Sequence, residues 1–267
     1  MYRDAARGAL EEYDLLPAEI VTFKGADGTL FYARLIKPAG FDAAKKYPAI
    51  VQVYGGPGAQ SVGNAWAGVN IAQVYAHKGF VVWQMDNRGS AGRGHAFETP
   101  LFRNLGAQEL ADQKAGVEFL TGMGFVDAAR VGIQGTSYGG FMTLNALLNA
   151  PETFHAGAAG APVTDFRNYD TIYTERYMGL PSDNAAGYEK TRLSSQAANL
   201  RGKLFLYHNL EDDNVLFQNS MQMIEALEQA GKQFDLRIFP QKTHGITGAM
   251  NRNANAAAVE FFERTLR

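Results

Sequence analysis

The chain has 267 residues, a formal net charge of −2, 46% hydrophobic residues and no cysteine. That charge leaves no basic field for nucleic acid, and the missing thiols exclude disulfides, thiolate zinc sites and a cysteine nucleophile. No apolar run approaches the roughly 18 residues of a membrane span, and the length suits one large α/β domain, 1–267.

Segment 1–19 has no apolar stretch of signal-peptide type. The chain as given therefore reads as cytoplasmic, or as periplasmic or secreted if it is cut from a longer exported precursor. Residues 20–37 predict a β-hairpin around the turn Ala26-Asp27-Gly28. The run 49-AIVQVYG-55 is apolar and β-branched, which suits a strand buried on both faces. A helix follows near 66–78, then a second buried strand over 80–86 and a long loop over 87–97. Leu110, Ala115, Val117 and Leu120 stand at near-helical spacing, so 107–122 is predicted as a helix. A short strand over 131–135 precedes a helix over 140–150 that stops at Pro151. Strands over 155–162, 204–209 and 234–240 alternate with a helix over 217–231, and a helix over 254–267 ends the chain. An antiparallel hairpin followed by alternating strands and helices predicts an α/β protein. Its sheet has about eight strands, is mostly parallel, and carries helices on both faces.

On such sheets, ligands bind beyond the carboxyl ends of the strands. One of those ends carries 135-GTSYGG-140, a G-x-S-x-G pattern between a strand and a helix. Ser137 is then a candidate nucleophile on a strained turn whose flanking glycines relieve crowding. The plainer reading is a glycine-rich connection with no chemistry. A serine hydroxyl needs a base. Of the five histidines, His77 ends a predicted helix, His95 sits in the long loop, His155 starts a strand of small residues, and His208 lies inside a buried strand as a satisfied core residue. His244 follows the last strand, where an α/β-hydrolase places its base. The orienting acid should lie between serine and histidine in the chain. Glu211, Asp212 and Asp213 all follow the strand at 204–209, and spacing does not choose among them. Tyr54, at the end of the strand at 49–54, is equally an oxyanion donor or a buried aromatic. Tyr169, Tyr173 and Tyr177 read as a helix stripe.

Several stretches together resemble the catalytic domain of the prolyl oligopeptidase family of serine peptidases, and most closely its dipeptidyl peptidase IV branch. They are 47-YPAIVQVYGGPG-58, 85-MDNRGS-90, 123-MGFVDAARVGIQGTSYGG-140, 169-YDTIYTERYMGLP-181, 208-HNLEDDNV-215 and 244-HGI-246. The resemblance implies an α/β-hydrolase fold with Ser137 as nucleophile, Asp212 as acid and His244 as base. It implies an oxyanion hole of the Tyr54 hydroxyl and the Tyr138 N–H. A proline-sized pocket is implied from Val163, Phe166, Tyr169, Tyr173 and Val215, with Asn214 binding a substrate carbonyl. It implies hydrolysis after proline or alanine near the N-terminus of short peptides, with no metal and no organic cofactor.

The chain departs from the family pattern at Thr136 and Phe166, where the nearest relatives carry tryptophan, and at Asn209-Leu210, which replaces Gly-Thr. Family members also carry a β-propeller, mostly upstream, that restricts access and in the dipeptidyl branch grips the substrate's amino end. Residues 1–48 are too few to form one. The resemblance thus implies a catalytic domain cut from a longer protein, with a free-standing member as the alternative. It also implies a homodimer formed partly through the last helices. An esterase acting on small molecules and a catalytically silent domain used for dimerisation or partner binding are the competing functions.

Overall fold

The computed structural model describes residues 12–66 and 68–267. Residues 1–11 of the N-terminal segment read above lie outside the described residues. The hairpin forms as expected, with β1 (Ala18–Lys24) antiparallel to β2 (Leu30–Ile36). Asp27 Oδ1 accepts the Thr29 N–H across the turn. Next come β3 (Tyr47–Gln52), α1 (Ile71–His77), β4 (Val81–Met85) and the short α2 (His95–Glu98). α3 (Ala107–Gly122) leads to β5 (Val126–Thr136), α4 (Tyr138–Asn149) and β6 (Ala156–Gly160). α5 (Thr171–Met178) and α6 (Ala185–Thr191) precede β7 (Lys203–Asn209). α7 (Gln218–Gln229), β8 (Asp235–Phe239) and α8 (Gly248–Leu266) complete the order.

The eight strands form one sheet in the order β1-β2-β4-β3-β5-β6-β7-β8. β2 pairs antiparallel with both β1 and β4, and every other pairing is parallel. Alternation along the strands sorts side chains into two apolar clusters. Ala49 and Val51 join the first, and Ile50 joins the second. Trp83 and Met85 likewise part from Val82, and Leu204 and Leu206 part from Phe205 and Tyr207. α3, α4 and α7 contribute to the first cluster through Leu120, Phe141 and Met223; α1 and α8 contribute to the second through Tyr75 and Phe262. The sheet is therefore covered on both faces, which is why its central strands read as unbroken apolar runs.

Boundaries moved where the sequence carries no apolar period. α1 starts at Ile71 rather than near 66, because the Asn70 side chain accepts the Ala72 N–H and caps it there. α8 begins at Gly248 rather than 254; its first turns are mostly exposed and show no apolar stripe. β5 begins at Val126 through residues that do not alternate in burial. His95 opens α2 instead of lying in a loop.

The buried face of α3 differs most from expectation. Glu109, Asp112, Gln113 and Gly116 are all buried, at spacings of one helical face. Each polar member has a partner. Glu109 accepts from the Tyr138 hydroxyl, Asp112 takes a bidentate ion pair from Arg88, and Gln113 donates to Asn87. Arg88 also reaches Asp27 at the hairpin turn. A polar stripe thus clamps the loop after β4 between the helix and the hairpin.

Candidate active site

Ser137 is the single residue between β5 and α4. Its φ of 64° and ψ of −121° lie where a non-glycine residue is strained. Its N–H donates to the Gly160 carbonyl at 2.9 Å. The flanking glycines are required by space. A Cβ on Gly135 would stand 2.3 Å from the Val53 carbonyl oxygen, and one on Gly139 would stand 2.3 Å from the same atom. One backbone oxygen of the neighbouring strand end therefore forbids side chains on both sides of the serine. Tyr138 opens α4, so its N–H is among the first-turn donors that find no carbonyl within the helix.

The structure chooses among the three acids after β7. Asp212 is buried, whereas Glu211 and Asp213 are exposed. Asp212 Oδ1 accepts the N–H groups of Asn214 at 2.9 Å and Val215 at 3.0 Å. Its Oδ2 faces His244 Nδ1 at 2.7 Å and His208 Nε2 at 3.0 Å. Burial alone would raise this carboxyl, but hydrogen bonds from His208, His244 and the Asn214 N–H outweigh it and hold the group well below the usual carboxylate range. His208 is a core histidine, as its place inside a buried strand predicts. It is fully buried and satisfied, and one of its partners is this acid. The His208-x-x-x-Asp212 spacing across the strand end was the signal for that contact.

His244 sits in the loop after β8, with its side chain 27% exposed. That loop folds back over β7. The Asn209 Nδ2 donates to the Thr243 carbonyl at 2.6 Å, and the Glu211 N–H donates to the Gln241 carbonyl at 3.1 Å. The departure at Asn209 therefore ties the histidine loop to the strand that carries Asp212. Among the described residues no hydrogen bond joins the Ser137 hydroxyl to His244. Catalytic hydrogen bonds are often long without substrate, so the lack of this one does not bear on either residue's candidacy.

Tyr54 and Tyr138 stand side by side with ring centroids 6.2 Å apart, and Gly56 fits between them. Burial pushes the Tyr54 hydroxyl above its ordinary value, and Tyr177 adds to this, so the group stays a donor. The strand end that carries Tyr54 is anchored from behind. The Asn87 amide donates to the Gly55 carbonyl at 3.0 Å and accepts from Gln113 at 2.9 Å. Val163, Phe166 and Val215 are buried. Phe166 lies 5.8 Å from the Tyr138 ring, on the apolar side of the turn. Tyr169 precedes α5, while Tyr173 and Tyr177 lie on it; the three rings stack edge to face at 5.3 and 4.9 Å. Burial raises the Tyr173 hydroxyl, and its neighbours Tyr54, Tyr177 and Tyr169 raise it further. The Tyr169 hydroxyl donates to Asn214 Oδ1 at 2.9 Å, which leaves the Asn214 amide N–H groups for a ligand. Thr136, at another of the departures, is exposed and pairs with the Tyr207 hydroxyl at 3.2 Å. Two cavities of about 690 and 730 Å³ open instead beside the hairpin; none of Ser137, Asp212 and His244 lines them.

Glu109 lies behind Tyr138 and was not anticipated. Its Oε1 accepts from the Tyr138 hydroxyl at 2.6 Å and the Gly106 N–H at 3.0 Å, and its Oε2 has no partner. Burial pushes its carboxyl up to about 7, against the lowering effect of those two hydrogen bonds. A carboxyl raised on folding holds its proton more tightly in the folded state. Its contribution to stability is present below about 4.5 and is lost as pH rises to about 7. Glu109→Gln removes that titration. The variant should gain stability relative to wild type across this window, by up to roughly 3.5 kcal/mol, and level off above it. Thermal unfolding of both proteins across that pH range is the measurement, and a flat difference would contradict the raised carboxyl.

The model of the prolyl oligopeptidase family, Peptidase_S9, matches residues 66–267. The chain is 41% identical to human and mouse dipeptidyl peptidase 8 over 239 residues, covering 87% of this chain and 27% of those proteins. It is 37% identical to bovine prolyl endopeptidase FAP, covering 96% of this chain and 34% of that protein. A crystal structure of a putative dipeptidyl aminopeptidase IV from Bacteroides ovatus superposes with a TM-score of 0.93 at 40% identity, over 96% of this chain and 37% of the other. Porphyromonas gingivalis dipeptidyl peptidase 4 also superposes at 0.93, with 37% identity, over 97% of this chain and 37% of that one. The chain thus spans about a quarter to a third of the length of the curated relatives it matches. The chain has an α/β-hydrolase sheet, a strained serine turn and a carboxylate-bound histidine, and with the family model matched over 66–267 it belongs to the prolyl oligopeptidase family.

Proposed function

We propose that these residues form the catalytic part of a serine peptidase that cleaves peptide bonds after proline through an acyl-enzyme. The observation that carries this reading is the 2.7 Å bond from His244 to a buried Asp212, beyond the same carboxyl ends of the sheet's strands that present the strained Ser137 turn. Ser137 Oγ attacks the scissile carbonyl while His244 Nε2 takes its proton. Asp212 holds the imidazole with its proton on Nδ1 and stabilises the imidazolium that forms. The Tyr54 hydroxyl and the Tyr138 N–H receive the developing oxyanion. His244 returns the proton to the leaving amine, and water then releases the acyl group.

Substrate preference follows from the walls. Tyr169 and Tyr173 present half-buried aromatic faces suited to a rigid pyrrolidine ring, backed by the buried Val163, Phe166 and Val215, and the free N–H groups of Asn214 are placed for a substrate carbonyl. The names of the relatives, dipeptidyl peptidase and prolyl endopeptidase, agree with this preference. We assign cleavage after proline to these residues, and not the restriction to dipeptides. Turnover of a Gly-Pro anilide, a Gly-Leu anilide and a nitrophenyl butyrate ester tests the reading. The prolyl anilide should be preferred over the leucyl one by about 10-fold or more in kcat/KM. Ester hydrolysis without anilide cleavage would replace the peptidase with an esterase. Failure of a fluorophosphonate to label Ser137 would leave a silent domain.

A further inference from the structure

Asp212 Oδ2 faces two imidazoles, and the second is His208 of β7. His208 is fully buried, with Phe217 packed edge-on against its ring at 5.4 Å. Its Nε2 faces two acceptors, Asp212 Oδ2 at 3.0 Å and the Val215 carbonyl at 2.9 Å. Neither can donate, so Nε2 carries a proton. The other nitrogen, Nδ1, lies 2.7 Å from the Ser220 hydroxyl of α7, which satisfies the ring from the opposite side. The Val215 carbonyl and Val215 N–H lock the same loop onto both groups.

We propose that His208 is a positioning residue for the hydrolysis: its Nε2–H fixes Asp212 Oδ2 in line with His244 and carries part of the carboxylate's charge. This rests on the triad reading above. Two effects follow. The carboxylate cannot rotate away from His244, because its donors hold it from three sides: the adjacent Asn214 and Val215 N–H groups, His208 of β7, and His244 of the loop after β8. It also presents less negative charge to the His244 imidazolium than a carboxylate with one partner would. The titratable groups facing this pair are His244 from the loop after β8 and Tyr169, whose hydroxyl feels the Asp212 charge.

Nitrogen-15 NMR of the imidazoles in the purified wild-type protein tests the tautomer directly. His208 should be protonated at Nε2, and protonation at Nδ1 alone would overturn the proposal. Kinetics of two variants on a Gly-Pro anilide then separate positioning from packing. The amide of His208→Gln reaches the place of Nε2 and keeps the donor to Asp212. The shorter His208→Asn reaches only the Ser220 side. His208→Asn should lose about 10- to 100-fold in kcat with KM held within about twofold. The low-pH limb of its kcat/KM profile should move to higher pH, since a less neutralised carboxylate keeps the base protonated longer. His208→Gln should recover kcat to within roughly threefold of wild type with the limb restored. Equal losses in both variants with unmoved profiles would make His208 a packing residue and overturn the proposal. If His208→Asn does not fold, a folded His208→Gln with kcat down by about 10-fold or more does the same. Fluorophosphonate labelling of the wild type distinguishes the failures. Unlabelled Ser137 removes the hydrolase reading itself, whereas labelled enzyme with matching variants removes only the role of His208.

Discussion

Ser137→Ala should lower kcat on a Gly-Pro anilide by roughly 10⁴- to 10⁶-fold. In the proposed mechanism the loss is large because the hydroxyl supplies the bond-forming atom. What survives is the binding and oxyanion stabilisation from Tyr54 and the Tyr138 N–H, which act without the nucleophile. The variant should fold as well as wild type. Alanine keeps the same Cβ on the same strained backbone, and among the described residues no hydrogen bond to His244 is lost. Its thermal midpoint should stay within about 2 °C of wild type. Near-normal turnover by the folded variant would remove the serine from the mechanism.

Asp212→Asn should lower kcat by about 10⁴-fold, for a reason visible in its four hydrogen bonds. The Oδ1 atom receives two backbone N–H groups, and Oδ2 faces two imidazole nitrogens. An asparagine has one acceptor oxygen. Either its amide N–H₂ meets the backbone donors of Asn214 and Val215, or it meets His208 and His244. In the first case the loop after β7 loses its anchor; in the second the imidazole flips to the wrong tautomer. The pH dependence of stability provides a second check. The Asp212 carboxyl is held below its ordinary value of 3.8 in the folded state, so it stabilises the protein above that pH and the contribution is lost as pH falls below it. The stability gap between wild type and Asp212→Asn should therefore be constant near neutrality and shrink in acid. A gap that widens in acid would contradict the ionised, hydrogen-bonded carboxylate.

Asn209 and Glu109 show how local sequence and tertiary placement divide the work. Nothing about Asn209-Leu210 marks it as more than a departure from a family pattern. Its amide matters only because the loop after β8 returns over β7 and offers the Thr243 carbonyl. Glu109 sits at helical spacing with Asp112, Gln113 and Gly116, so a polar stripe on α3 was legible. Its burial was not, since the loop after β4 and Tyr138 had first to arrive on that face. The aromatic residues behave alike. Tyr173 and Tyr177 belong to one helix face by spacing alone, but Tyr169 joins them from outside the helix.

The amino-acid order by itself determined the strand–helix alternation, because two-sided burial writes apolar runs and one-sided burial writes helical periods into any chain. It also marked the serine turn, through a serine between glycines 135 and 139 where a strand meets a helix, although the Val53 carbonyl that requires those glycines comes from another strand. The choice of Asp212 over Glu211 and Asp213, the partnership of two histidines on one carboxylate oxygen, and the burial of the polar stripe beneath Tyr138 were decided only by the tertiary structure. Those depend on which groups from distant strands lose their water together, and no local pattern records that.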